Sequence, residues 1–443
     1  MKTIQKSFLA LFASLTLLWL LADYAVLGTT TGVFGWRQVW MQYSGVLGMG
    51  AMSVAMLLAV RPKSLEAHLH GLDKMYRLHK WLGIAALVLA VTHWLGAQGV
   101  KWLVQGGWLT RPARGPRPEQ TVDIFRFFQS QRGLAEQVGE WAFYAAVLLI
   151  TIALVKRFPY RHFFTTHRWL ALVYLALVVH AVVLLNFADW ATPLGGVMGA
   201  LMLAGSAAAG VSLFRRIGLK RKAVGVIEQL DYLDGVSVNA VTVQLQNRWA
   251  GHEAGQFAFV TFDAKEGAHP FTIASAWQGD GKLLFLIKAL GDYTRTLGAA
   301  LKPGAVVEVE GPYGRFNFDG ATPRQIWIGG GIGITPFVAR MQALAARPDG
   351  REIDLFHTTT DVDDAALQRL ADDAQAAGVR LHLMIDARDG RLSGERLRAE
   401  VPHWQSADVW FCGPAGFGDA IWRDLLEHGL APGHFHQELF AMR

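Results

Sequence analysis

Four histidines lie inside long apolar runs, His79 and His93 in HKWLGIAALVLAVTH, and His167 and His180 in HRWLALVYLALVVH. On a helix rising 1.5 Å per residue, spacings of 14 and 13 residues separate each pair by about 20 Å. A neutral imidazole keeps one ring nitrogen free to bind a metal, and two imidazoles on opposite faces of an iron complete a six-coordinate haem. Ionisable side chains are expensive inside a bilayer and mark function there more often than packing. Two outward-running helices with matched imidazoles would therefore grip two stacked haems, His79 with His167 near the inner leaflet and His93 with His180 near the outer. Fourteen residues return to within about 40° of the starting direction, but thirteen miss it by about 140°. The second pair thus calls for a distorted first turn or a bend at His167. His68, His70 and His162 fall in basic loops and read as solvated. No arginine or further histidine near His93 marks a binding site for oxygen.

The elements that must carry these residues are membrane spans. Six apolar stretches, about 4–27, 43–60, 81–98, 138–155, 167–186 and 193–214, have the roughly 17–25 residues that cross a hydrocarbon core. The first follows Lys2 and Lys6 and has no small-residue cleavage site, so it reads as a retained helix and not a signal peptide. Basic residues crowd loops 61–80 and 156–168 and the exit from the last span, whereas loops 28–42 and 187–192 hold only Arg37. This asymmetry puts both termini in the cytoplasm and the long loop 99–137 outside. The net charge of +6 is therefore a topology signal and not a nucleic-acid footprint. The single cysteine, Cys412, excludes a disulfide framework and a four-cysteine iron–sulfur cluster within the chain.

Beyond about residue 224 the pattern is that of a soluble protein. VSVNAVTVQLQ (236–246), GQFAFVTF (255–262), KLLFLIKAL (282–290) and AVVEVEGP (305–312) read as strands of an antiparallel barrel. Within it, Thr272 and Ser275 offer hydroxyls and His269 and Lys288 offer donors. Asp292 or Thr294 is placed to cap a short helix whose amides would attract a phosphate. After Pro323, strands and helices alternate as in a parallel α/β domain. There IWIGGGIGITP (326–336) is strand, glycine turn and helix start, a phosphate cradle by its bare backbone and helix N-terminus. The expected organisation is a six-helix transmembrane domain over 1–215, an antiparallel β-barrel over 220–322 and an α/β nucleotide-binding domain over 323–443.

HKWLG…TH and THRWLALVYLALVVH resemble the two haem-bearing helices of the ferric reductase and NADPH oxidase superfamily, in which six helices hold two b-type haems between the third and the fifth. The resemblance implies His79, His93, His167 and His180 as the iron ligands. HPFT followed by a serine is similar to that family's FAD motif, and GDYT to its second flavin motif, beneath the pyrophosphate. These imply His269, Pro270, Phe271, Thr272, Ile273 and Ser275, then Lys288, Gly291 and Thr294, as FAD-binding residues. GGGIGITP and CGP resemble the nicotinamide site of the ferredoxin reductase family, implying Gly329, Gly330, Gly331, Gly333, Thr335 and Pro336, with Cys412, Gly413 and Pro414. FHQELFAMR is similar to the aromatic tail that covers the flavin ring in such reductases. Phe440 is the candidate, with Phe435 open, and Phe440, Cys412 and Thr272 are the expected catalytic contacts. Thr358 to Thr360 would suit a 2′-phosphate, while Asp361, Asp363 and Asp364 would repel one; the resemblance to the family alone implies a slight lean to NADPH.

The implied activity is electron transfer from cytoplasmic NAD(P)H through FAD and two b haems to an outer acceptor, with O₂ giving superoxide as the leading expectation. A ferric or other metal-chelate reductase, or an electron-delivery subunit for a partner protein, are the alternatives. The expected location is a bacterial inner membrane, with lipid but no nucleic acid as partner.

Overall fold

The computed structural model describes residues 2–112, 120–155 and 157–438, and the chain forms two compact units divided near residue 217. The first holds six helices long and apolar enough to cross a membrane: α1 (Lys2–Thr29), α2 (Gly32–Ala59), α3 (Leu72–Gln105), α4 (Asp123–Leu154), α5 (Tyr160–Leu184) and α6 (Pro193–Leu213). The chain is a multi-pass membrane protein. Leu9, Leu17, Leu21, Leu148, Leu172 and Leu203 are exposed on the outside of the bundle, as side chains facing lipid must be. Trp36, Trp102 and Trp108 stand out beside one set of helix ends, and Trp81 and Trp169 beside the other, the placing of interfacial aromatic belts.

The helices are longer than hydropathy implies. The expected outer loop 28–42 is almost entirely helical, with only Thr30 and Thr31 outside α1 and α2. α3 and α4 likewise overrun the apolar stretches 81–98 and 138–155. Hydropathy marks only the part matched to lipid, whereas a helix continues through good formers such as those of QRGLAEQ in α4. α2 is the most enclosed of the six spans. Its buried Ser44, Gly48, Gly50, Ala51, Ser53 and Ala55 let neighbouring backbones come close.

The second unit opens with a six-stranded antiparallel sheet: β1 (Lys222–Leu233), β2 (Val238–Leu245), β3 (Phe257–Thr261), β4 (His269–Thr272), β5 (Lys282–Lys288) and β6 (Val306–Tyr313). The strand order is β4-β3-β6-β1-β2-β5, and a bridge between Ile273 and Phe285 closes the ends into a barrel around Ile227, Val241, Val260, Phe285 and Val309. β1 is central yet absent from the sequence reading. A register shift between Ile227 and Gln229 breaks its alternation of buried and exposed residues. Helix α7 (Asp292–Ala300) follows β5.

A five-stranded parallel sheet completes the unit: β7 (Arg324–Gly330), β8 (Glu352–Thr359), β9 (Arg380–Ile385), β10 (Asp408–Cys412) and β11 (Phe435–Gln437), in the order β11-β10-β7-β8-β9. Its main helices are α8 (Thr335–Ala346), α9 (Asp364–Ala376) and α10 (Ala415–Glu427). The winding reverses between β7 and β10. Open α/β sheets bind ligands outside the carboxyl ends of their strands at such a point.

Candidate functional site

His79 stands two turns into α3, and His167 two turns into α5. The ring centroids of His79 and His167 are 5.8 Å apart with planes at 66°, and those of His93 and His180 are 6.4 Å apart at 74°. Two imidazoles bound through Nε2 at about 2 Å on opposite sides of one metal place their centroids about 6 Å apart. Both pairings expected from the spacing therefore form. The expected distortion at His167 does not, since α5 is continuous from Tyr160 to Leu184. Rotamers swing each ring well away from its Cα direction, so a mismatch of Cα angles need not separate the rings.

The surroundings of the rings fit a metal ligand. His79 Nδ1 donates to the Ala55 carbonyl at 2.9 Å and His180 Nδ1 to the Ala135 carbonyl at 2.8 Å, while His93 Nδ1 meets Ser44 Oγ at 2.9 Å. Donation from Nδ1 fixes the tautomer that keeps the Nε2 lone pair available. His167 Nδ1 is buried without a partner among the described residues, and Phe163 stacks on its ring at 5.0 Å. Among the described residues no three His, Cys, Asp or Glu side chains form a metal cage. Each pair thus offers two imidazole nitrogens, a donor set that would suit a haem iron and not a protein-only metal cage. The Ala55 and Ala135 carbonyls have no residue-type signature. The same holds for Gly139 of α4, where a Cβ would sit 2.0 Å from His180 Nδ1. The imidazole lies against bare helix backbone.

Arg37 is an arginine that the fold brings near His93, where the sequence shows none that marks an oxygen site. Its Nε donates to the Gly96 carbonyl at 3.0 Å and Nη2 to that of Ala97 at 3.4 Å, one turn beyond His93 on α3. The long-range approach of α2 to α3 brings it there.

In the barrel, the two flavin motifs meet. His269 of HPFT stacks on Tyr293 of GDYT at 4.5 Å and 22°, with its Nε2 3.4 Å from Glu266. Burial lowers the His269 pKa against the opposing pull of Glu266, and burial with nearby Glu266 and Asp263 pushes the Tyr293 hydroxyl up to about 12. Gly291 is the N-cap of α7, and Thr294 Oγ1, not Asp292, accepts the amides of Gly291 at 2.9 Å and Leu290 at 3.0 Å. The N-terminus of α7, the kind of helix end that attracts anions, thus lies beside HPFT. Pro270, Phe271 and Thr272 are half-buried in β4. Ile273 is fully buried in the barrel core, so it offers a ligand only backbone. Ser275 is committed locally. Its Oγ accepts the Leu284 amide at 3.1 Å, and its carbonyl accepts from Nε2 of the buried His252 at 2.8 Å.

The glycine turn and CGP meet where the parallel sheet reverses. A Cβ on Gly333 would lie 2.2 Å from the Cys412 carbonyl oxygen, and one on Gly330 3.0 Å from Pro414 Cδ, while Gly413 backs onto Gly330 Cα. Gly331, at φ +54°, has open space in front of it, where a side chain would intrude on a ligand. Thr335 Oγ1 closes the turn on the Ile332 carbonyl at 2.7 Å, and Pro336 sits in the first turn of α8. Cys412 is 1% exposed, and its thiol is pushed up by burial and by Glu438. Glu438, itself buried, went unnoticed in the sequence. Buried His357 donates from Nδ1 to the Gly329 carbonyl at 3.2 Å, and burial together with the Lys288 charge lowers its pKa to about 4 against that bond's opposite pull.

Lys288 reaches the nucleotide side, pairing with Asp361 and holding that carboxyl below the usual range. Asp363 caps α9 by accepting the Ala366 amide at 3.0 Å. Two of the three acids set against a 2′-phosphate are thus already engaged. Phe435 packs against Phe411 and Trp422 in the sheet, and Phe440 lies outside the described residues.

Residues 44–178 match the family described as ferric reductase like transmembrane component, and residues 228–317 match an FAD-binding domain family. An NADPH oxidoreductase of Mycobacterium tuberculosis is 29% identical over 186 residues, 40% of this chain and 47% of that protein. The ferredoxin–NAD(+) reductase component of an alkene monooxygenase system of Xanthobacter autotrophicus is 29% identical over 181 residues, 38% of this chain and 54% of that one. The chain spans about half the length of these curated relatives. Among solved structures, a flavohemoglobin from Malassezia yamatoensis aligns at a TM-score of 0.47 and 17% identity, covering 91% of this chain and 98% of that one. A ferric-reductase-like transmembrane component joined to an FAD-binding domain gives this chain the architecture of the ferric reductase and NADPH oxidase-like oxidoreductases.

Proposed function

We propose that the chain moves electrons from cytoplasmic NAD(P)H across a bacterial inner membrane to O₂ on the outer side, producing superoxide, with both termini in the cytoplasm. The observation that carries this reading is the pair of imidazole couples, 5.8 and 6.4 Å apart, separated along α3 and α5 by about 20 Å. FAD, once bound, turns a two-electron hydride into single electrons, and two b haems would relay them across the apolar core. The glycine turn and CGP hold the nicotinamide coenzyme at the carboxyl ends of β7 and β10. His269, Tyr293 and the first turn of α7 hold the flavin. His79, His93, His167 and His180 would hold the iron and set its polarity, and the apolar sheath of α1 to α6 keeps water from the route. Arg37 adds a fixed cation at the level of the outer imidazoles, which favours an anionic product there.

The purified chain, reconstituted with FAD and given NAD(P)H, is expected to reduce cytochrome c at a rate that superoxide dismutase abolishes. A dismutase-insensitive rate, with rapid reduction of a ferric chelate under argon, would replace O₂ by a metal chelate as the acceptor.

A further inference from the structure

Three of the four imidazoles find an oxygen for Nδ1, but two of those oxygens are main-chain carbonyls. The exception is Ser44 on α2, 1% exposed, whose Oγ is 2.9 Å from His93 Nδ1 and 2.6 Å from the Trp40 carbonyl oxygen one turn back. A hydroxyl has one proton, and the carbonyl can only accept it. The Oγ lone pair is therefore left facing His93 and accepts the Nδ1 proton. Gly45 keeps the α2 backbone close to the same ring, its Cβ direction ending 3.7 Å from His93 Cε1.

We propose that Ser44 is a positioning residue for the outer haem level, acting through His93. By accepting from Nδ1 it locks the tautomer and makes the imidazole a stronger donor through Nε2, which favours the oxidised metal and lowers the midpoint potential at that level alone. The inner pair has no such side chain. His79 uses the Ala55 carbonyl, and His167 Nδ1 has no partner among the described residues. This inference rests on the bis-histidine haem reading, and its test separates the two.

The test is potentiometric titration of the purified full-length chain as wild type, Ser44→Ala and Ser44→Thr, with haem per chain measured on each sample. Ser44→Ala is expected to shift one reduction equilibrium up to tenfold toward the reduced form, about 59 mV for a one-electron couple, and to leave the other unchanged. Ser44→Thr keeps the hydroxyl and is expected to titrate as wild type. Loss of one haem in Ser44→Ala but not in Ser44→Thr supports the same role. Two haems with both midpoints unmoved in Ser44→Ala, or both moved together, would overturn it while leaving the ligation intact. A wild-type chain without haem would overturn the ligation itself and the role of Ser44 with it.

Discussion

Gly139 offers a sharp perturbation of the outer site. An added Cβ would lie 2.0 Å from His180 Nδ1, 2.4 Å from Cε1 and 2.7 Å from Cγ. Non-bonded heavy atoms settle at about 3.5 Å, so the ring or the helix must retreat by about 1.5 Å. The ring cannot do so while holding the Ala135 carbonyl at 2.8 Å. Metal–ligand bonds tolerate only about 0.2 Å. Overpacking costs about 1–3 kcal/mol and the lost hydrogen bond about 1 kcal/mol more. Together they weaken the hold on an outer haem by on the order of 30- to 1,000-fold. Gly133→Ala is the control on the same helix, since nothing lies within 4 Å of its Cβ position. It gains about 1 kcal/mol of helix propensity and is expected to leave the site untouched. Soret absorbance per chain, with the reduced α-band resolved at low temperature, should show one haem lost or spectrally shifted in Gly139→Ala and neither in Gly133→Ala. Two unperturbed haems in Gly139→Ala would refute the placement of His180 as a ligand against α4.

Gly333→Ala drives a methyl into the Cys412 carbonyl and separates the glycine turn from CGP, so the KM for NAD(P)H is expected to rise at least tenfold with FAD content unchanged; an unaltered KM would show that the turn does not seat the coenzyme. Tyr293→Leu removes the stack on His269, worth about 0.5–1.5 kcal/mol, and should weaken FAD binding up to about tenfold in a flavin fluorescence titration, whereas an equal affinity would detach GDYT from the flavin. His357 has a folded pKa of about 4 against an ordinary 6.5. Between those values the unfolded chain takes up a proton that the folded one does not, so stability present above pH 6.5 is lost as pH falls toward 4, by about 3 kcal/mol. His357→Leu should flatten that window in urea unfolding followed by flavin fluorescence, and an unchanged slope would show that His357 is not the group responsible.

The most legible features in the sequence were those with few physical solutions. Imidazoles are costly in lipid, so the spacings 79–93 and 167–180 announced their pairing, and glycine runs after strands announced the turn of residues 329–333. What escaped was carried by backbone and by long-range approach. Carbonyls such as Ala55 and Ala135 have no side-chain signature, and Gly139 looks like any small residue until His180 is laid against it. Arg37 is distant in sequence from the helix it reaches. β1 escaped because its bulge spoils the alternation, β11 because three residues carry no period, and the polar ends of α3 and α4 because hydropathy does not see them.

Haem stoichiometry by pyridine haemochromogen, on the wild-type chain and on His79→Ala and His93→Ala, tests the central claim most directly. The account predicts two haems per chain in the wild type and one in each variant, with FAD content equal in all three. Two haems retained in both variants, or a flavin-loaded wild type with no Soret band, would contradict it.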